Sequence, residues 1–344
     1  GACIGVVALI TLSQSEQWSI DSRLASLFAT LLLLGYVLSF ALRSRLLTQD
    51  VGLFETVQAP VTAGLAFWAV SVSDDAAAGT TAMGVLAIML GLAGYGFALL
   101  MRARTGQPRN FYYYSSLGLV FVVTGTAVLL PPSIAATLWS VMAISLAWLS
   151  GRWNWVSLSL QCTVLLLAAS VASGLLATGF QAFVGDPLQP WPAPTLWLSG
   201  TALATVVCLF MPVAQHSDRW GKLAGMPQLL VLALSVWGVG GLMVAVAAPM
   251  LAHAGTPDAD MSVLAALRTA ILAAAAVTLA LSSRFPRWPE ARWLVYPVLV
   301  IVAVKLFAED FPVGQPATLF VALALVGGAL LSVAKLLAWR DANA

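Results

Sequence analysis

"NFYYYSSLGLVFVVTGTAVLLPPSIAATLWSVMAISLAWLSG", residues 110–151, contains no charged residue from end to end. A helix rises 1.5 Å per residue, so about 20 apolar residues cross a hydrocarbon core of about 30 Å. The stretch is long enough for two crossings. Pro131-Pro132 supplies the turn between them, because two adjacent prolines cannot continue a helix. Neither half alternates apolar and polar residues as a membrane strand does. These residues therefore predict a helical hairpin inside a membrane.

The rest of the chain repeats the pattern. Of 344 residues, 60% are hydrophobic and 9% charged, against roughly 25% charged in soluble domains, and the mean hydropathy is +0.93. No single water-soluble core could hide so much apolar surface. Dividing the chain at charges, prolines and polar clusters predicts spans near 22–42, 59–73, 82–101, 112–130, 133–150, 155–180, 195–213, 226–252, 263–283, 292–308 and 316–338. The predicted fold is an all-α polytopic membrane protein of about eleven transmembrane helices, forming one multi-pass domain over residues 1–344. The opening "GACIGVVALITL", residues 1–12, begins mid-hydrophobic without Met and reads as the tail of a helix whose start is missing.

Basic residues then orient the spans, since cytoplasmic connections carry an excess of Lys and Arg. Alternate connections hold Arg43 and Arg45; Arg102, Arg104 and Arg109; Arg152; Arg219 and Lys222; Arg284, Arg287 and Arg292. The tail adds Lys335 and Arg340, which accounts for all but three of the 16 basic residues. The intervening connections hold Asp74, Asp75, Asp186, Asp258, Asp260, Glu309 and Asp310. A miscounted span would break this alternation, and it does not break. The C-terminus is expected on the cytoplasmic side. Trp139, Trp148, Trp153, Trp155, Trp191, Trp197, Trp220 and Trp339 lie near span ends and read as an interfacial belt.

The three basic residues outside that pattern are Arg23, Arg268 and Lys305, each with an acid nearby: Asp21, Asp260 and Glu309. Lys305 stands about 20 Å of helix beyond Arg292 and about 8 Å before Asp310, roughly one turn below the outer surface. Lys305 and Glu309 are an i,i+4 pair on one helix face. One reading is a lysine whose ammonium reaches up to the headgroups. The other is a polar cluster of Arg268, Lys305, Glu309, Asp310, Asp258 and Asp260 that lines an outward cavity or grips a partner. Ionisable residues within a span face protein or water, which makes them candidate sites.

Other signals are weak. His216 and His253 are isolated, and Cys3, Cys162 and Cys208 are far apart in sequence, so no metal or haem ligand set is expected. No connection exceeds about 20 residues, which leaves no room for a folded domain outside the membrane. No phosphate-binding glycine loop, HExxH or GxSxG occurs, and "GVGG" at 238–241 reads as a helix-packing feature. The tandem acids Asp74-Asp75 read as solvated loop residues rather than a metal-dependent transferase site. The sequence assigns no catalytic residue, no metal and no cofactor.

Two stretches carry a resemblance. In 109–153 the pattern is a Tyr-Ser start, the "LLPP" turn, Trp139, then a segment closing on Gly151-Arg152. In 295–331 it is Lys305, Asp310 five residues on, "GQPATLF" and a Gly-Gly helix. Together they resemble a family of uncharacterised bacterial polytopic membrane proteins, known only as a domain of unknown function. The resemblance implies a bacterial inner-membrane protein with many spans. The family's members are often longer than this chain, and it has no assigned activity to transfer. The expected function is a non-enzymatic scaffold or accessory subunit of a larger membrane assembly, its partners being the bilayer and other membrane subunits, not nucleic acid. The alternative is a transporter or lipid-handling protein that uses the polar cluster at the outer ends of the ninth to eleventh spans.

Overall fold

The computed structural model describes residues 2–13, 22–46, 53–72, 76–105, 108–185, 194–211, 225–251, 257–285 and 288–341. Asp21, Asp74, Asp75, Asp186, Trp191, His216, Trp220 and His253 lie outside these residues, as does the side chain of Asp258. Every described element is helical, with no strand among the described residues, and the protein is an all-α, multi-pass membrane protein.

In their described residues the eleven predicted segments are helical, but 155–180 covers a bent pair of helices and 292–308 runs from a helix into a π turn. Among the described residues eight helices are long and apolar enough to cross a membrane, and the count is nine if one sharply bent pair forms a single span. Val57–Ser71 and Leu196–Phe210 are shorter apolar helices. Large side chains project outward along the spans, with Trp293, Phe307, Phe320 and Leu331 all more than two-thirds exposed. On a water-soluble monomer such apolar exposure would be confined to small patches. Here it is the surface that lipid covers.

The chain falls into two compact units, Gly1–Pro131 and Pro132–Ala344, and the boundary is the Pro131-Pro132 turn. The first unit contains α1 (Ala2–Ser13), α2 (Ser22–Leu46), α3 (Leu53–Ser71), α4 (Ala76–Thr105) and α5 (Pro108–Leu129). Its core gathers Ile10, Leu33, Ala66, Met83 and Phe121. Small residues let α4 and α5 approach until backbone meets backbone: a methyl group added at Gly118 would lie 2.8 Å from the carbonyl oxygen of Gly91. The Tyr114 hydroxyl donates to the Phe40 carbonyl at 2.9 Å and ties α5 to α2.

The second unit contains α6 (Pro132–Trp153), α7 (Val156–Ala172), α8 (Leu175–Val184), α9 (Leu196–Phe210), α10 (Met226–Leu251), α11 (Pro257–Ser282) and α12 (Ala291–Lys305). A π turn (Leu306–Asp310), α13 (Phe311–Val313) and α14 (Pro316–Asp341) follow. Its core runs through Val244, Leu264, Ala276, Val295 and Val302, where α10, α11 and α12 meet. Trp139 is buried in this unit, 4% exposed, so it packs inside and does not join an interfacial belt. Trp148 and Trp153 are exposed near the end of α6.

Two interruptions shape this unit. The sequence reads 155–180 as one span, but the chain bends by 67° between α7 and α8. Gly174 occupies the bend at φ +79°, a left-handed conformation that a side chain would strain. Below the bend, α8 crosses α10 at Gly179 and Gly241. A methyl group on Gly241 would overlap the Gly179 Cα. "GVGG" is thus the packing feature the sequence suggested, with Gly238 against Leu175 and Gly240 against Phe183.

Candidate functional site

The second interruption builds the site. Pro312 has no N–H to return to Ala308, and its ring would crowd that carbonyl in a regular helix. The chain absorbs one extra residue in the π turn Leu306–Asp310, and the Phe311 N–H bonds the Leu306 carbonyl. The consequence is geometric. In an α-helix, at about 100° per residue, Asp310 would lie about 140° around the axis from Lys305. The wider turn brings it back over Lys305, within 3.3 Å of Nζ, while Glu309 stays at 3.2 Å.

Lys305 does not reach for headgroups. It is 9% exposed, and its Nζ donates inward to the Ala265 carbonyl at 2.8 Å and to Thr269 Oγ1 at 2.9 Å, both on α11. Thr269 Oγ1 donates in turn to Asp310 Oδ2 at 2.7 Å. A helical threonine often bonds the carbonyl four residues back, here that of Ala265. Lys305 holds that carbonyl, and Thr269 is turned toward the carboxylate. Asp310 is 2% exposed and is wrapped by these partners.

Arg268 forms a second layer beside the first. Its Nη1 donates to Glu309 Oε1 at 2.7 Å. Its Nε donates to the Ala182 carbonyl at 2.7 Å, and its Nη2 donates to the Gly185 carbonyl. Ala182 belongs to the last turn of α8, where carbonyls have no partner within the helix and the helix dipole is negative. A guanidinium satisfies both needs. Arg268 therefore binds the C-terminal end of the broken helix to α11 and, through Glu309, to the π turn.

The structure thus brings together Arg268, Lys305, Glu309 and Asp310, four of the six residues of the predicted cluster. Asp260 is half-buried at the start of α11, about 12 Å of helix from Arg268, and joins none of them among the described contacts. Sequence reasoning missed Thr269 and the three backbone carbonyls. The carbonyls have no sequence signal, and Thr269 has only its place beside Arg268. Moving a charge out of water costs several kcal/mol even after relaxation, unless partners replace the water. Here each of the four has its opposite within 3.3 Å.

Arg268, Lys305 and Glu309 also border a cleft of about 830 Å³ between α8, α10, α11 and α12. Its remaining walls are apolar, with Phe183, Trp237, Leu272, Leu294, Val298 and Ile301 among them. Along α12 and the π turn it extends from Leu294 to Glu309. The stretch from Leu294 to Lys305 alone is about 16 Å of helix, close to half of a hydrocarbon core of about 30 Å. Measured along α12, the charges stand toward one end of it, and the lining from Leu294 to Val304 is apolar.

Cys162 and Cys208 lie buried between α7 and α9 with their Sγ atoms 3.9 Å apart, as free thiols. Among the described residues no group of three or more His, Cys, Asp or Glu side chains could hold a metal ion. Comparison with family models, with curated proteins and with solved structures gives no match for this chain.

Proposed function

We propose that this protein handles a lipid or lipid-like amphiphile in the cleft between α8, α10, α11 and α12. What supports the reading is the one-sided distribution of charge in that cleft. An apolar lane about one leaflet long ends at Arg268, Lys305 and Glu309. A chain would lie along Trp237, Leu272 and Ile301 while its polar head met the ion pairs. The broken helix α7–α8, whose C-terminal carbonyls face the same cluster, agrees with this. Helices broken at membrane depth commonly place their ends at substrate sites. The accessory-subunit reading has no comparable feature behind it. The proposal sets the protein in a bacterial inner membrane, with its C-terminus cytoplasmic, in keeping with the resemblance carried by 109–153 and 295–331.

Trp237 on the cleft wall offers the test. In vesicles of phosphatidylcholine with brominated acyl chains, the fluorescence lost on Trp237→Phe reports that residue alone. Quenching of this component should saturate at a low fraction of brominated lipid and vanish in Val304→Trp, which fills the cleft. A Trp237 component that bromine leaves unquenched would defeat the reading.

A further inference from the structure

The cluster also has a polarity of demand, and from it we infer the chemical class of the head group. The inference rests on the amphiphile reading above and names what that site selects.

The cations of the cluster have their donors occupied and their charges turned inward. Three nitrogens of Arg268 already donate, to Ala182, Glu309 and Gly185, and its side chain is 4% exposed. Lys305 has three N–H groups, and Ala265, Thr269 and Asp310 take them up, with 9% of the side chain exposed. Asp310 lies behind Lys305 and is closed off. Glu309 differs. Its side chain is 27% exposed and borders the cleft; Oε1 accepts from Arg268, and Oε2 faces the Lys305 ammonium at 3.2 Å as an ion pair. An ionised carboxylate has about four acceptor positions, so about two are left. The open capacity of the cleft's polar end is therefore acceptor capacity, on a negatively charged group.

An anionic head would meet that carboxylate and find its own natural partners already engaged. A hydroxyl could donate to it. An ammonium can donate and also match its charge, and hydrogen bonds with an ionised partner on each side are the strong ones. The site thus selects an amphiphile with an ammonium-bearing head, such as a long-chain primary amine or an ethanolamine-type head, seated on Glu309 with its chain along α12.

Three probes of equal chain length decide it: dodecylamine, dodecanol and lauric acid, titrated into the purified full chain in a non-ionic detergent with the Trp237 component as readout. Dodecylamine should bind at least about tenfold more tightly than dodecanol, the scale of a hydrogen bond to a charged group. Lauric acid should bind no better than dodecanol. Glu309→Gln should weaken the amine more than the alcohol and close the gap between them. Equal binding of all three probes, tighter binding of the acid, or an amine affinity untouched by Glu309→Gln would each overturn the head-group assignment while leaving chain binding intact. Binding of none would remove both. The ranking on the unaltered protein stands by itself if Glu309→Gln proves too unstable to purify.

Discussion

Lys305 and Asp310 show what one charged residue requires at membrane depth. Removing a single partner of a buried ion pair leaves the other uncompensated, at about 3–5 kcal/mol. Lys305→Ala should lower the melting temperature in detergent sharply, because Asp310, 2% exposed, loses its cation. Lys305→Ala with Asp310→Ala should melt higher than Lys305→Ala alone. A double variant no more stable than the single would show that the loss comes from packing and not from the stranded charge. The pairing of Lys305 with Glu309 was legible in the sequence, since four residues on a helix is a fixed geometry. The pairing with Asp310 was not. Five residues in a regular helix point elsewhere, and only the extra residue of the π turn closes the gap.

At the scale of elements, the helices themselves were the easy part. Apolar runs bounded by charges and prolines leave little choice, and all eleven segments are helical in their described residues. The bend inside the sixth was harder to see. Its one local signal is Ser173-Gly174, a dipeptide that favours turns, and apolar residues on both sides hide it. Spacing along one chain also gives no hint that α8 ends on Arg268, because that contact joins residues far apart in sequence. The Gly179–Gly241 crossing holds α8 where Arg268 can reach it. Gly241→Leu should push α8 from α10 and loosen the Ala182 and Gly185 carbonyls from the guanidinium. Overpacking of this kind costs about 1–3 kcal/mol. Hydrogen exchange should rise at the end of α8 and stay unchanged in α4 and α5. An unchanged α8 would mean that the crossing is not what positions it.

For the whole molecule, charge placement predicts orientation. A cysteine added after Ala344 should resist a membrane-impermeant thiol reagent in intact cells and react once the membrane is opened, whereas Asp74→Cys should react in intact cells. The reverse pattern would invert the topology and place the cleft's charged end at the cytoplasmic face. The cluster has one more property at this scale. Its four formal charges, Arg268 and Lys305 against Glu309 and Asp310, cancel. A transmembrane voltage exerts no net force on a group of zero charge, so the unoccupied site is electrically silent. A bound alkylammonium would add one elementary charge, which is worth about 2.3 kcal/mol per 100 mV if carried across the full membrane. Loaded and empty forms of the protein would then respond differently to the same membrane potential, and the potential itself would favour movement of the loaded form in one direction.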